Sequence, residues 1–164
     1  MAGAQKKVVV RLFDGAPITG YLPVSGFVEG DVVPLMDSGG RSIHLAISEI
    51  KLIAYVWDFN SGDPEDPERL GRKRYPARPR SEGLWLRMMF RDGDLLEGLA
   101  AADISLLEWL ATDRGVMVTP PDARSNTQRV YVPRAALSGL EILGVIQPRR
   151  TPAPTRDPQP GLFG

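Results

Sequence analysis

The sequence predicts an all-β protein that contains two similar small domains in tandem. Short apolar segments recur along the chain, and 15 prolines and 17 glycines among 164 residues interrupt them. Frequent proline and glycine between apolar segments is typical of short strands joined by turns and disfavours a bundle of long helices. An internal repeat, the third observation, predicts that the two halves of the chain share one architecture.

The repeat is clearest at the start of each half, where residues 8–20 align without gaps on residues 86–98. The apolar residues in each segment alternate, as in a strand with one buried face. An Asp-Gly pair follows each strand and predicts a hairpin, because Gly adopts a positive φ without steric cost. Each returning strand then contains a glycine that predicts a bulge or bend, at Gly20 and Gly98.

The two halves also end alike. Residues 50–56 match residues 140–146, and the second copy is then about 12 residues longer, a difference assigned to the polar segment 120–128. Each half is predicted to form about five short strands within about 60 residues, the size of an SH3-like or Sm-like β-barrel. The predicted fold is thus two tandem small barrels related by duplication, with domains at residues 1–60 and 84–147.

One segment leaves two interpretations open. Residues 102–111 could form a helix that starts at Asp103 and carries three leucines on one face, at Leu106, Leu107 and Leu110. The alignment of the two halves favours a strand for the same residues.

Two segments outside the predicted domains are rich in proline and charge. Residues 61–83 predict a connector with an acidic part followed by a basic part. Residues 148–164 contain too many prolines for regular structure and predict an extended arm. Basic side chains and an apolar chain end suit contacts with other proteins, so the candidate protein-binding residues are Arg72, Arg74, Arg78, Leu162 and Phe163.

Composition disfavours several classes of function. The 20 Lys and Arg residues balance the 20 Asp and Glu residues, whereas proteins that bind nucleic-acid backbones usually carry a basic excess. The chain contains no Cys and one His, so we expect neither a metal site nor a cofactor. No apolar segment has the length of a signal peptide or a membrane span. We therefore expect a cytoplasmic protein that reaches a membrane only through a partner.

No catalytic pattern stands out in the sequence. Asp14 and Asp92 lie in Asp-Gly turns, and this position accounts for both carboxylates without a catalytic role. His44 lies in a strand-like segment, and the sequence shows no cluster of further metal ligands or catalytic partners around it. Residues 38–42 read as a turn rather than a phosphate-binding loop. We therefore expect no enzymatic activity.

Several segments of the chain resemble an uncharacterised bacterial family of tandem Sm-like or SH3-like repeats, sometimes found near PilZ-type proteins. The resemblance lies in VVRLFDGAPITGY, IKLIAYVWDFNSGDPE, MMFRDGDLLEG and RGVMVTPPDARSNTQRVYVPRAAL. It covers most of residues 7–146 and does not include the arm. It implies the double-barrel fold and brings no catalytic residues.

The sequence supports two hypotheses for the function. The favoured one is a non-enzymatic scaffold or accessory subunit that binds a larger protein assembly, on the cytoplasmic face of a membrane complex. The alternative is a module that binds a cyclic dinucleotide or RNA, because paired arginines can grip phosphates. Its residues superficially match two PilZ motifs and are Arg74, Arg78, Asp103 and Ser105. Glu108 stands where the second motif ends in glycine, which disfavours this alternative.

Overall fold

A computed structural model describes residues 4–59, 74–121 and 126–147. Within these ranges the chain forms ten strands, one α-helix and two short 3-10 helices, so the all-β prediction is confirmed. The strands are β1 (Lys6–Leu12), β2 (Ile18–Leu22), β3 (Val32–Met36), β4 (Ser42–Ala46), β5 (Ile50–Val56), β6 (Gly83–Phe90), β7 (Leu95–Ala100), β8 (Gly115–Thr119), β9 (Thr127–Pro133) and β10 (Leu137–Ile146). The helix α1 (Ile104–Thr112) lies between β7 and β8, and the 3-10 helices are Ile47–Glu49 and Arg134–Ala136.

All ten strands belong to one open antiparallel sheet with the order β10-β6-β7-β8-β9-β5-β1-β2-β3-β4. The first half of the chain contributes β5-β1-β2-β3-β4, and the second contributes β10-β6-β7-β8-β9. The two halves therefore have the same strand order. They are joined where β9 pairs with β5, and the edges of the sheet are β10 and β4.

The repeated glycines mark a close approach between strands. A Cβ atom at Gly20 would lie 2.6 Å from Leu35 Cγ, and one at Gly98 would lie 2.6 Å from Val118 Cγ2. The β1–β2 and β6–β7 ladders run through these positions without a register shift. Of the predicted bulge or bend, the bulge is therefore absent, and the glycines are needed because the next strand leaves no room for a side chain.

The two closing strands correspond in a different register from the one predicted. Val10 faces Ile53, and its repeat partner Met88 faces Leu140. A 3-10 helix comes directly before each closing strand, so Ile50 corresponds to Leu137. The predicted match of residues 50–56 with 140–146 is thus three residues out of register.

The second half is nine residues longer than the first, because equivalent residue numbers differ by 78 at β1 and β6 and by 87 at β5 and β10. At β3 and β8 they differ by 83, as for Val33 and Val116. Five extra residues therefore belong to the connection that contains α1, and four belong to the β8–β9 loop.

The helix has no counterpart in the first half, which is why the repeat alignment favoured a strand there. Leu106 and Leu110 pack against the core of the second half, whereas Leu107 is 64% exposed. Residues 102–111 therefore contain a helix, and two of its three predicted apolar contacts are present.

The closing strand of the first half, β5, contributes to two hydrophobic clusters and is buried along its whole length. Leu52, Ala54 and Val56 pack into the cluster that contains the core of the second half. Ile53 and Tyr55 pack into the cluster of the first half, together with Ile50. The cores of the two halves therefore meet on opposite faces of one strand.

The predicted connector joins β5, which ends at Val56, to β6, which begins at Gly83. Residues 60–73 of this connector and the whole predicted arm, residues 148–164, lie outside the described residues. In the described part of the chain, no helix has the length and apolar character needed to cross a membrane.

Candidate functional site

The described candidate arginines lie at two separate places on the second half. Arg74 is exposed and lines a shallow cavity beside the β6–β7 turn, with Asp92 and Asp94. Arg78 lies at the end of β10, where its guanidinium donates a hydrogen bond to the Val145 carbonyl over 3.4 Å. The cavity that Arg78 lines does not include Arg74, so the two arginines line different cavities.

Two of the remaining predicted site residues lie at or just before the start of α1. Asp103 precedes α1, and its carbonyl accepts a hydrogen bond from the Leu106 amide over 3.1 Å. Ser105 lies within α1. Arg72, Leu162 and Phe163 lie outside the described residues.

Glu97 is buried in β7 and is surrounded by internal hydrogen-bond donors. Its carboxylate accepts hydrogen bonds from the Tyr75 amide at 3.0 Å, Trp85 Nε1 at 3.2 Å and Arg87 Nη2 at 3.1 Å. Burial first, and then the charge of Glu97, raises the pKa of Tyr75 to about 12. This cluster fixes the end of the connector on the sheet.

Two further polar clusters join the halves. The buried ammonium of Lys51 in β5 lies 2.7 Å from Asp92 Oδ2 and also contacts Asp94, both in the β6–β7 turn. The buried carboxylate of Asp113 accepts hydrogen bonds from the Gly26 and Val28 amides at 2.9 and 3.3 Å. Both clusters connect the first half to the second, so we assign them to the fold rather than to a reaction.

The sheet edge at β10 exposes apolar side chains on the face that carries the core. Leu140, Ile142 and Val145 face Met88, Leu86 and Leu84 across the β10–β6 ladder, and directly opposed residues share a face of the sheet. Leu86 and Met88 are buried in the second-half core. Leu140, Ile142 and Val145 are nevertheless 44%, 62% and 53% exposed. The apolar face of the second-half core therefore extends onto β10, where the described residues leave it exposed to solvent.

This feature is concentrated on one strand. Among the described residues, five large apolar side chains are exposed, and three of them are these residues of β10. We call Leu140, Ile142 and Val145 the β10 edge patch. An apolar patch on an edge strand is a typical site for another chain to add, because the outer side of that strand offers free backbone donors and acceptors.

A basic cleft crosses the junction between the halves. It is lined by Lys6 and Lys7 from β1, Trp57 after β5, and Arg129 from β9. Trp57 is 68% exposed. An exposed indole beside cationic side chains can stack on a base while the cations contact phosphates.

Among the described residues, no group of three or more His, Asp and Glu side chains is arranged to hold a metal ion. A profile described as a family of unknown function (DUF6982) matches residues 4–144. The chain belongs to this family. No curated protein and no solved structure matches it. The predicted resemblance to an uncharacterised family is confirmed to this extent.

The DUF6982 match begins before β1 and ends within β10, so it covers both halves of the sheet. The match therefore spans both repeats rather than one. The β10 edge patch lies at the end of the match, with Leu140 and Ile142 inside it and Val145 just beyond.

Sequence reasoning missed the main surface features of this DUF6982 protein. Part of the signal for the β10 edge patch was present, because Leu140 and Ile142 alternate with Glu141 in a strand-like segment. Such alternation predicts one apolar face but does not say whether another strand covers it. The basic cleft could not be found from spacing, because Lys6 and Arg129 are brought together only by the pairing of β5 with β9.

Proposed function

We propose that the protein is a non-enzymatic scaffold that binds other protein subunits through the edge of β10. The observation that carries the proposal is the β10 edge patch, where three core-facing apolar side chains are exposed on an edge strand of the described sheet. Natural sheets usually protect such edges with charge, proline or a covering segment. An unprotected apolar edge is therefore best explained by a partner that covers it.

The fold proposed for this scaffold is a pair of small Sm-like or SH3-like barrels derived by duplication. The identical strand order of the two halves and the equivalent close approaches at Gly20 and Gly98 support this proposal. The proposed location is the cytoplasm, on the inner face of a membrane complex whose other subunits supply the anchor.

Further contacts are proposed outside the sheet. Arg78 lies at the end of β10 and is placed to extend the edge contact. Arg72, Leu162 and Phe163 remain proposed contacts on the connector and arm. Such segments can bind a partner by placing apolar anchors in a groove, at the entropic cost of ordering the chain.

The test compares two charge substitutions in tagged protein purified from its native host. Ile142→Glu places a charge in the β10 edge patch and should remove the co-purifying subunits. Leu107→Glu, on the exposed side of α1, is the matched control because Leu107 is 64% exposed and lies away from the edge. Identical sets of co-purifying proteins for Ile142→Glu and Leu107→Glu would contradict the proposal.

Binding of RNA or a cyclic dinucleotide is the second proposal, and the basic cleft is the observation that favours it. The exposed Trp57 and Arg129 are the residues we expect to carry it, in addition to the exposed Arg74. Base stacking on an aromatic side chain contributes about 1–3 kcal/mol per base. Trp57→Ala should therefore weaken binding of a short single-stranded RNA by about 5- to 150-fold, measured by fluorescence anisotropy.

The salt dependence of that measurement separates a specific cleft from general attraction. Phosphate contacts lose affinity as salt rises, and Arg129→Ala should reduce this slope. Arg78→Ala is the control, since Arg78 lies at β10 and not in the cleft. Absence of any anisotropy change for RNA at low salt, together with no heat of binding for cyclic di-GMP in calorimetry, would remove this second proposal.

A further inference from the structure

The junction between the halves provides a template for what covers the two free edges. In this junction β5 pairs with β9, and Ile53 faces Tyr131 while Tyr55 faces Arg129. Ile53 and Tyr55 are completely or almost completely buried there. They pack in one cluster with Met117 and Tyr131, which belong to the other half. The β5–β9 contact thus combines backbone hydrogen bonds with the packing of apolar side chains from both halves.

The free edges of the sheet are the repeat equivalents of the two strands in that junction. The strand order shows that β10 occupies in the second half the place that β5 occupies in the first. In the same way β4 is the equivalent of β9. The residue equivalence follows from the ladders and the 3-10 helices, which place Leu140 at the position of Ile53 and Ile142 at that of Tyr55.

The strand β4 aligns with β9 in the same way. His44 takes the position of Tyr131, and Ser42 takes that of Arg129, because both strands run directly into a 3-10 helix. The paired strands β5 and β9 thus have equivalents in β10 and β4. Each of these equivalents has an unpaired side in the described sheet.

We propose that β10 of one copy pairs with β4 of a second copy, in the register of the β5–β9 junction. Leu140 then faces His44 of the second copy, and Ile142 faces Ser42 of that copy. This inference rests on the proposed function and names the partner of the β10 edge patch as the protein itself. It explains why Leu140 and Ile142 are exposed while their equivalents Ile53 and Tyr55 are buried.

The chemistry of both edges suits such pairing. The β4 strand, SIHLA, contains no Lys, Arg, Asp or Glu that would oppose an incoming strand. The single charged residue of β10 is Glu141, and its carboxylate lies 3.6 Å from the Arg87 guanidinium on the neighbouring strand. Glu141 is opposed to Arg87 on β6 and alternates with Leu140 and Ile142, so its side chain lies on the other face of the sheet.

The proposed contact joins two different surfaces, so it is a heterologous interface. Each added copy leaves one β4 edge and one β10 edge free, and growth stops only when the ends meet in a ring. The proposal therefore predicts assemblies larger than a dimer whose size increases with protein concentration until closure.

The first test measures the assembly of the purified full chain alone. Sedimentation velocity should show species larger than a dimer for the unchanged protein and for Leu107→Glu, and a monomer for Ile142→Glu. A monomer for the unchanged protein at the highest concentrations reached would overturn the inference. If Ile142→Glu still lost its other co-purifying subunits in that case, the proposed function would stand without self-assembly.

The second test fixes the register, and the chain suits it because it contains no cysteine. A mixture of Ser42→Cys and Ile142→Cys proteins should form a disulfide-linked dimer under mild oxidation, since opposed strand residues satisfy disulfide geometry. A mixture of Ser42→Cys and Ser138→Cys is the matched control, four residues away along β10, and should remain unlinked. Efficient linkage of Ile142→Cys protein alone would instead indicate β10–β10 pairing and would overturn the proposed register.

Discussion

A side chain at Gly98 would occupy space that Val118 already fills, because its Cβ would lie 2.6 Å from Val118 Cγ2. Overpacking a dense core typically costs about 1–3 kcal/mol, so we expect Gly98→Ala to lower the free energy of unfolding by that amount. Gly39→Ala is the matched control, since its Cβ would meet Asp37 Oδ1 at 3.4 Å in an exposed turn. Urea denaturation measures both, and equal effects would contradict the close approach.

Tyr75 provides a pH-dependent prediction. Burial first and the Glu97 charge second raise the pKa of Tyr75 from 10.0 to about 12 in the folded protein. The unfolded chain therefore loses this proton first, so the stabilisation is complete below pH 10 and is lost as the pH rises through 12. Tyr75→Phe should reduce the loss of stability across this range, measured by urea denaturation at a series of alkaline pH values.

Part of the alkaline loss should persist in Tyr75→Phe. Burial, followed by the Asp113 charge, also raises the pKa of Tyr55 and of Tyr131. An alkaline decline identical to that of the unchanged protein would show that Tyr75 ionises without regard to folding.

At the scale of elements, Asp113 holds the β2–β3 loop against the turn after α1. Its carboxylate accepts the Gly26 and Val28 amides, and its carbonyl accepts the Tyr131 hydroxyl. Asp113→Ala leaves two amides without this acceptor and should cost about 1–3 kcal/mol of stability. Asp113→Asn should cost less, because one carbonyl oxygen remains.

Hydrogen exchange at Gly26 and Val28 gives a second readout of that prediction. Both amides should exchange faster in Asp113→Ala than in the unchanged protein. Asp31→Ala is the control because it removes an exposed ion pair with Arg114, which should contribute less than about 1 kcal/mol. Unchanged exchange at both amides would contradict the role given to Asp113.

Local signals in the sequence predicted the hairpins well. The Asp-Gly pairs and the alternation before them identify β1 with β2 and β6 with β7, because turn chemistry acts between neighbouring residues. The same signals could not place α1 or the closing strands. The two insertions in the second half shift the repeat, and apolar residues at 102–111 suit either a helix or a strand.

At the scale of the whole molecule, the shared strand β5 predicts one cooperative unfolding transition. Its two faces belong to the two hydrophobic clusters, so neither half can unfold without exposing part of the other core. Urea curves from far-ultraviolet circular dichroism and from tryptophan fluorescence should therefore coincide. Two separated transitions would show that the halves unfold independently.

The joining of the halves was beyond prediction from the sequence. The repeat predicts two similar units, but the pairing of β5 with β9 depends on contacts such as Ala54 with Val130, 76 residues apart in the chain. The buried partners of Glu97 and Lys51 are likewise set by tertiary packing. The candidate residues chosen from the sequence therefore lie on the connector, on the arm and at the start of α1, and none that the structure describes lies on a strand of the sheet.

The burial of β5 also has a consequence for synthesis in the cell. Leu52, Ala54 and Val56 leave the ribosome long before the residues of β9 that lie beside them. At about 5–20 residues per second, the gap between β5 and the end of β9 lasts on the order of ten seconds. During that time the nascent first half exposes the apolar face of β5 and its unpaired backbone edge. We therefore expect aggregation to be most probable at this stage, and chaperone binding to be most useful then.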